Sequence, residues 1–202
     1  MKKIKDISED EMISVFLRTE INSNRWSKFI LSLLKKDGKN RNIIDNPDLS
    51  NQEENMYRKD LLGNYRGYGG NSDLFTGFPD DVNWIRAKIN KEELKKVKYM
   101  RYSYWDKLSK YTRFAKVGAE TIRKGTIIFN ESNEGFLKTA EVLKQGKQFP
   151  EMILVGKDER SELVVLERHQ RITAYFLAPD KIPEQLKVII GFSSNMTQWS
   201  GY

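Results

Sequence analysis

The sequence predicts an α/β protein in which a small mixed β-sheet with flanking helices follows a helical N-terminal extension. Three short apolar stretches, at residues 152–155, 163–166 and 186–191, have the length and β-branched composition of buried strands. Amphipathic stretches with apolar residues three and four positions apart lie before and between them, as in helices that cover a sheet. We therefore expect a helical extension with a glycine-rich connector over residues 1–72 and an α/β domain over residues 73–202.

Two helices are predicted at the start of the extension. Ser8, followed three residues later by Glu11, forms a capping-box pattern that places the first helix directly after Ser8. The second helix should begin after Ser23 and end at Gly38, which follows two lysines. Their common apolar stripe contains Phe16, Trp26, Phe29 and Leu33. Because an exposed stripe of this size favours aggregation, we expect it to pack on the body of the protein or on a second copy in a homodimer.

A loop and a third helix complete the extension. Residues 39–55 are rich in Asn and Asp, which predicts a loop or linker. Ser50 followed by Glu53 predicts the start of a third helix, which should end near the glycine-rich segment 65–71. That segment lacks the preceding strand and the following lysine of a phosphate-binding loop, so we interpret it as a flexible connector.

The middle of the chain should alternate short strands with helices. Alternating apolar residues predict a strand at 82–89 and a second at 97–102. Between them, Asn90 and Glu93 form a capping-box pattern that predicts one helical turn. Two longer helices are expected at 112–124 and 132–145, each followed by a glycine that ends it.

The most informative motif is the junction at residues 164–175, where a β-branched run stops at a charged cluster and an amphipathic segment begins at once. This pattern predicts a buried strand that leads directly into the first turn of a helix. Unpaired N–H groups and the helix dipole attract anions to such a helix start. Arg168, His169 and Arg171 add side chains that can bind phosphate. The alternative is a solvated basic surface without a ligand.

The same junction resembles a known family. Arg171 and Ala174 are similar in spacing to the signature Gly-x-x-Arg-x-x-Ala of ParB/sulfiredoxin-like domains, and a predicted strand after Pro150 precedes them as in that family. Residues 149–192 resemble the core of the fold, and the resemblance extends upstream to about residue 82. It implies a mixed sheet with flanking helices of the ParB N-terminal, nuclease-like type.

The resemblance also implies a ligand. In that family the loop and the helix start bind nucleotide phosphates, so a nucleotide or another phosphorylated small molecule is the expected partner. Arg171 and Arg113 match the phosphate-facing arginines of the family, and Arg168, His169 and Gln170 complete the candidate binding set. Because the family includes nucleotide switches and phosphotransferases, an NTP-dependent phosphotransferase, an NTPase and a binding protein without catalysis all stay open.

Two residues are candidates for catalysis, although no reaction can be derived from the sequence. His169 is a candidate general base, because histidine is the residue type that ordinarily titrates near neutral pH. Glu167 could hold Mg²⁺ through a phosphate-bound ion, but capping of the helix start is the favoured role. The expected cofactor is therefore Mg²⁺ brought in with a nucleoside triphosphate, and no metal site built from protein ligands alone is expected.

One position departs from the family pattern. The signature begins with glycine, which permits close backbone approach or a positive φ, whereas this chain has Arg168. Arg168 either obstructs the pocket or grips phosphate with its guanidinium group. We favour obstruction and expect ordinary helical backbone angles at Arg168. Sulfiredoxin chemistry is excluded because it needs a cysteine in the signature, and the chain contains none.

Charge and aromatic content suggest two alternative functions. The formal net charge is +7, and basic residues are interleaved with aromatic ones over residues 91–124. Such interleaving serves nucleic-acid binding, but it also occurs in half-buried elements with solvated lysines. The first alternative is therefore a DNA- or RNA-associated module without catalysis. The second is an interaction protein with a degenerate pocket, in which Arg168 marks the loss of binding.

The sequence also bears on localisation. No apolar run approaches the ~18 to 20 residues that a membrane-spanning helix needs. The basic N-terminal residues are followed by acids rather than by the apolar stretch of a signal peptide. Together with the absence of cysteine, these features predict a cytoplasmic, bacterial-type protein without membrane contact.

Overall fold

The structure is a computed structural model that describes residues 1–147 and 149–202. Within these ranges it contains five β-strands in one mixed sheet and nine α-helices, which confirms the predicted mixed α/β class. The chain divides into two compact units. We call residues 7–80 the helical unit and residues 1–6 with 81–202 the sheet unit. In the described ranges, the structure contains no helix with the length and apolar character needed to cross a membrane.

The helical unit contains four helices. They are α1 (Glu9–Glu20), α2 (Ser27–Lys36), α3 (Asn42–Asp45) and α4 (Gln52–Arg66). Ser8 caps α1 as predicted, since its hydroxyl group accepts a hydrogen bond from the Glu11 N–H at 3.1 Å. Phe16 is fully buried and contacts the ring of Phe75 at a centroid distance of 6.0 Å. An apolar core within residues 7–80 therefore orders the first predicted helix.

Five strands form the sheet of the sheet unit. They are β1 (Lys2–Asp6), β2 (Asn83–Ile89), β3 (Met152–Gly156), β4 (Val164–Glu167) and β5 (Leu186–Phe192), in the spatial order β1-β2-β5-β3-β4. Strands β3 and β5 pair in parallel, with Leu154 beside Ile190, and the other described pairs are antiparallel. Every residue of β3 is buried: Met152 and Leu154 belong to the apolar core of the sheet unit, and Ile153 and Val155 face the opposite side of the sheet.

Five helices belong to the sheet unit. They are α5 (Lys91–Lys96), α6 (Ser103–Leu108), α7 (Ala115–Arg123), α8 (Glu134–Lys144) and α9 (His169–Leu177). The capping box of Asn90 and Glu93 is present at the start of α5, as predicted. Helix α9 follows β4 directly and packs against α7 and α8. Its buried face meets the sheet core through Ile172 and Phe176, so the strand-to-helix junction has a fixed position in the fold.

The predicted domain boundary at residue 72 differs from the division in the structure. Residues 73–80 belong to the helical unit, whereas residues 2–6 form β1 and pair with β2. The sequence conceals β1, because all five of its residues are exposed and Ile4 is its only apolar residue. Backbone hydrogen bonding at the sheet edge, rather than burial of side chains, holds this strand.

Three local predictions need correction. The strand expected at 97–102 is reduced to isolated bridges of Lys98, one parallel to Val164 and one antiparallel to Phe114, in which the Tyr99 N–H donates to the Arg113 carbonyl at 2.7 Å. Helix α4 is capped by Asn51 rather than Ser50, since Asn51 Oδ1 accepts from the Glu54 N–H at 3.1 Å. The loop expected at 39–55 contains helix α3, whose apolar residues supply local burial.

The apolar stripe of the extension is buried only in part. Phe16 is enclosed, but the Phe29 side chain is 43% exposed, so the chain itself does not cover the whole stripe. Phe29 contacts Trp26 and Tyr65 through its ring edge and leaves its remaining surface open. Helix α2 points this residue away from the core because Ile30 and Leu34 occupy its buried side. A homodimer through these helices stays a prediction.

Candidate functional site

The chain changes direction at Arg168, between the end of strand β4 and the start of helix α9. Strand β4 ends at Glu167, Arg168 takes the left-handed conformation with φ 80° and ψ 40°, and α9 begins at His169. The expectation of ordinary helical angles at Arg168 is therefore wrong. With no loop residue between strand and helix, a single left-handed residue makes the turn. Glycine adopts this conformation without strain, whereas a residue with a side chain does not.

The side chain of Arg168 lies against the start of β3. It is buried, and its Nη1 donates a hydrogen bond to the backbone carbonyl of Glu151. The N-cap position of α9 belongs to Arg168 rather than to Glu167, which differs from the capping role favoured for Glu167. Arg168 thus ties the helix start to the segment that leads into β3.

Arg171 reaches the same segment one turn further along α9. Its Nη1 donates to the carbonyl of Pro150 at 3.2 Å, and its guanidinium carbon lies 5.3 Å from the centroid of the Phe149 ring. Burial lowers the pKa of the Arg171 guanidinium group from its ordinary value, and the nearby Glu167 carboxylate opposes that shift. Arg171 is half-buried. It remains a cation, since an arginine side chain stays charged in proteins.

A cleft of about 570 Å³ lies beside this face of the helix. Arg171 and Tyr175 are separated from Arg168 by three and seven positions, so all three share one side of α9. The described residues that line the cleft are Leu143, Gly146, Lys147, Phe149, Pro150, Glu151, Tyr175, Lys181, Pro183, Gln185, Leu186 and Lys187. We refer to it as the α9 cleft. It joins an aromatic wall to a basic rim.

The charge of the α9 cleft is positive. Its described lining includes three lysines, Lys147, Lys181 and Lys187, and one glutamate, Glu151. The carboxylate of Glu151 is held by Arg86, with Nε 2.7 Å from Oε1 and Nη2 2.8 Å from Oε2. That two-point ion pair neutralises the glutamate, and Lys181 in turn lies 3.7 Å from the Asp180 carboxylate, so Lys147, Lys187 and Arg171 dominate the local field. An anion is the ligand that this field favours.

His169 and Gln170 do not face the α9 cleft. His169 is buried, and its ring stacks on Trp105 at a centroid distance of 4.9 Å with an interplanar angle of 10°. Gln170 Nε2 donates to the carbonyl of Gly135 at 2.6 Å and to Thr139 Oγ1 at 2.5 Å, both at helix α8. These contacts give His169 and Gln170 roles in packing α9 onto its neighbours.

Arg113 is engaged elsewhere in the sheet unit. It is buried, and burial lowers the pKa of its guanidinium group, with the nearby Arg101 cation acting in the same direction. Its donors bind three backbone carbonyls, those of Tyr99 at 2.8 Å, Tyr202 at 2.7 Å and Gly201 at 3.3 Å. Arg113 and Arg171 therefore bind different segments of the chain. The pairing of these two arginines around one phosphate finds no support in this geometry.

The lysines of the α9 cleft were missed by the sequence argument. Lys147 follows α8, Lys181 follows α9 and Lys187 lies in β5, so no local spacing connects them. Only the fold brings their segments to one cleft. The sequence offered one indication of the cleft: Phe149 and Pro150, which line it, lie at the start of the segment that resembles the family's strand.

Mg²⁺ brought in with a nucleoside triphosphate stays a prediction. In the described ranges, the structure contains no group of three or more His, Cys, Asp or Glu side chains that could hold a metal ion. Glu151 is paired with Arg86, which removes one carboxylate of the cleft from consideration. We therefore derive no step through a protein-bound magnesium ion.

Comparisons of the chain with protein-family models, with curated proteins and with solved structures find no match. We therefore infer its function from the sequence and from the geometry of the α9 cleft.

Proposed function

We propose that the sheet unit binds a nucleotide or another phosphorylated ligand in the α9 cleft. The observation that carries the proposal is a cleft lined by Lys147, Lys181 and Lys187. Its described acid, Glu151, is already neutralised, and Arg171 contacts the lining residues Phe149 and Pro150. Phosphate oxygens carry the charge that such a basic rim selects, and arginine can bind them through two hydrogen bonds.

The dimensions and walls of the cleft suit a ligand of nucleotide size. Its volume of about 570 Å³ falls within the roughly 300 to 1,000 Å³ of small-molecule sites. Phe149 and Tyr175 supply an aromatic wall, with ring centroids 6.1 Å apart in an edge-to-face arrangement. In the proposed complex this wall contacts the base or another apolar part of the ligand, and the basic rim contacts its phosphates.

The resemblance to ParB/sulfiredoxin-like domains supports the same proposal. In that family, phosphates bind at the start of the helix after the signature strand. Here β4, the left-handed Arg168 and α9 form a strand-to-helix turn of that kind. The positive φ of Arg168 is the backbone conformation that the signature glycine would provide. We therefore propose that the sheet unit has the ParB/sulfiredoxin-like fold.

The proposal is limited to binding. A general base must reach the proton that it abstracts, but His169 is enclosed by the aromatic rings of Trp105 and Tyr99. Glu167 is half-buried and lies next to the cation of Arg171. These surroundings favour no catalytic step, so phosphotransfer and hydrolysis are not part of the proposed function.

Calorimetric titration with ATP, CTP, GTP and UTP, each with and without Mg²⁺, tests the proposal. At least one nucleotide should bind, and Arg171→Gln should weaken it by about ten-fold or more, as expected for a charge-assisted phosphate contact. Lys187→Gln should weaken it several-fold without affecting the fold, because Lys187 is exposed.

A matched control separates the cleft from general electrostatic attraction. Lys138 is an exposed lysine of α8 that pairs with Glu134 at 2.6 Å, outside the described lining of the cleft. Lys138→Gln removes the same charge as Lys187→Gln and should leave nucleotide affinity unchanged. Equal losses in both variants would mean that the overall positive charge, not the cleft, attracts the ligand. Absence of binding by every nucleotide would overturn the proposal in favour of a degenerate pocket.

A further inference from the structure

A second surface of the sheet unit exposes aromatic rings next to lysines. The side chain of Tyr111, in the turn after α6, is 74% exposed, and that of Phe129, in the segment between α7 and α8, is 52% exposed. A single exposed ring is ordinary, but exposed apolar groups that lie together mark a surface that can contact a partner. We call Lys107, Lys110, Tyr111 and Phe129 the aromatic–lysine patch.

Contacts within the patch bring its members together. The Lys107 ammonium group lies 4.2 Å from the centroid of the Phe129 ring. The N–H of Lys110 donates to the carbonyl of Lys107 at 3.1 Å, and the N–H of Tyr111 donates to the carbonyl of Asp106 at 2.6 Å. One end of α6 therefore carries two lysines and a tyrosine, and the second ring is held beside them by a cation–π contact.

The charge around the patch is positive. Residues 101–116 contain five basic residues and one acidic residue, Asp106. The segment that carries Phe129 adds two exposed acids, Glu131 and Glu134, the second of which pairs with Lys138. Arg113 is buried, whereas Arg101, Lys107, Lys110 and Lys116 are exposed. A polyanion is the partner that such a surface attracts, since each phosphate that pairs with a lysine releases a condensed counterion.

The backbone holds these side chains in unfavourable conformations. Lys110, Tyr111 and Phe129 have φ values of 51°, 63° and 51°, in the left-handed region. Each such residue costs roughly 1 kcal/mol relative to glycine, which is the residue that turn geometry alone would favour. A tyrosine and a phenylalanine at strained, exposed positions are therefore explained better by a role of the side chain than by the turn.

We propose that the aromatic–lysine patch binds single-stranded nucleic acid. Unpaired bases stack on the rings of Tyr111 and Phe129, while Lys107 and Lys110 bind the adjoining phosphates. The exposed contact between Lys107 and Phe129 is weak, about 0.5 to 1 kcal/mol, so a phosphate can displace it. A duplex fits less well, because its bases are already stacked and present no free face to a ring. This surface is distinct from the α9 cleft and does not depend on the function proposed for that cleft.

Fluorescence anisotropy with labelled homopolymers of about 20 nucleotides, longer than the roughly 4 to 16 that one small domain covers, tests the proposal. Tyr111→Leu and Phe129→Leu keep much of the apolar area but remove the ring. Each should weaken binding by roughly five-fold to 100-fold, the range for loss of one stacked base. Tyr111→Phe keeps the ring and should bind as the unaltered chain does.

Salt dependence tests the lysines separately. Lys107→Gln and Lys110→Gln should each reduce the slope of log affinity against log salt by about 0.7, the value for one phosphate contact on a single strand. Lys138→Gln is the matched control, because Lys138 is an exposed lysine on α8 outside the patch and should leave the slope unchanged. Circular dichroism melting confirms that each variant is folded before binding is compared.

Four outcomes overturn the proposal. They are absence of oligonucleotide binding, unchanged affinity of the leucine variants, tighter binding to a duplex of the same length, and equal slopes for patch and control lysines. Unchanged affinity in the leucine variants would assign the rings to an apolar protein contact instead. Arg171→Gln should leave oligonucleotide binding intact, and Tyr111→Leu should leave mononucleotide binding intact. Failure of one proposal is therefore distinguishable from failure of the other.

Discussion

The hydroxyl groups of Tyr99 and Thr173 lie 2.5 Å apart in the interior of the sheet unit. Thr173 Oγ1 also donates to the carbonyl of His169 at 2.8 Å, and this bond uses the single hydrogen of the threonine hydroxyl group. Tyr99 is therefore the donor in the bond between the two side chains. This bond joins the segment before α6 to the helix that borders the α9 cleft, so it fixes the position of α9 independently of any ligand.

Tyr99→Phe should destabilise the protein by about 1 kcal/mol, because it removes one buried hydrogen bond but little volume. Thr173→Val should cost more, about 2 kcal/mol, since it leaves the buried Tyr99 hydroxyl without its acceptor. The double variant should cost less than the sum of the two. Denaturant unfolding followed by circular dichroism measures these differences, and Tyr111→Phe, at an exposed ring, is the control that should change nothing. Strict additivity would contradict the assigned bond.

Stability at alkaline pH should also depend on Tyr99. Burial raises the pKa of the Tyr99 hydroxyl above its ordinary value. The folded state thus keeps a proton that the unfolded state loses above about pH 10, so stability falls as pH rises beyond that point. Between about pH 8 and pH 11, Tyr99→Phe should lose about 1 kcal/mol less stability than the unaltered chain. Equal losses would show that Tyr99 ionises as freely in the folded state as in the unfolded one.

Much of the fold can be predicted from local sequence patterns. The apolar runs of β3 and β5, and the capping residues Ser8 and Asn90, report their own secondary structure because the stabilising contacts lie within a few residues. Strand β1 could not be found this way. It is exposed, and its pairing with β2 joins residues about 80 positions apart.

The candidate site is less predictable than the fold. The helix start after β4 is visible in the sequence, but the directions of its side chains depend on distant partners. The sequence predicts Arg113 as a phosphate ligand, but in the structure its guanidinium group donates hydrogen bonds to the carbonyls of residues 201–202. His169 looks like a general base until Trp105, more than 60 positions earlier, covers its ring. The roles of Arg113 and His169 therefore depend on contacts with residues far away in the sequence, and local residue spacing does not reveal these contacts.

Arg113 should prove to be a structural residue. Arg113→Met keeps a long apolar side chain but removes hydrogen bonds to three carbonyls, of which Gly201 and Tyr202 keep a bond from Arg101, so it should cost about 2 kcal/mol of stability. Arg113→Lys should recover only part of this loss, because an ammonium group lacks the forked geometry of guanidinium. Denaturant unfolding measures the cost, and nucleotide titration of the folded variants should give unchanged affinity. A ten-fold loss of affinity with normal stability would restore Arg113 to the binding site.

The exposed part of the helical unit gives a prediction about association. The Phe29 side chain of α2 is 43% exposed, and we expect it to contribute to the homodimer predicted from the sequence. Phe29→Glu should produce a monomer in sedimentation velocity without lowering the melting temperature, since little buried area is lost. Leu137→Glu, at an exposed leucine of α8, is the control and should leave the sedimentation coefficient unchanged. An unaltered chain that remains monomeric at high concentration would contradict the homodimer.

Arg168 should be strained in its backbone and stabilised through its side chain. Arg168→Gly relieves the left-handed conformation but loses the hydrogen bond to the Glu151 carbonyl, whereas Arg168→Ala loses the bond and keeps the strain. The glycine variant should therefore be more stable than the alanine variant by about 1 kcal/mol. In an ordinary helical position the order would be reversed. Denaturant unfolding of the two variants under identical conditions measures the difference.

The same pair of variants tests whether Arg168 obstructs the ligand. Its guanidinium group binds the carbonyl of Glu151 in the segment that leads into β3, whereas glycine would place no side chain beside the backbone N–H groups of the helix start. Arg168→Gly should therefore bind nucleotide more tightly than the unaltered chain in titrations at one salt concentration. If the side chain alone obstructs the ligand, Arg168→Ala should raise nucleotide affinity as much as Arg168→Gly does. If only Arg168→Gly raises the affinity, the effect belongs to the backbone conformation. Weaker binding in both variants, by the ten-fold or more expected for a lost charged hydrogen bond, would make Arg168 a phosphate ligand instead.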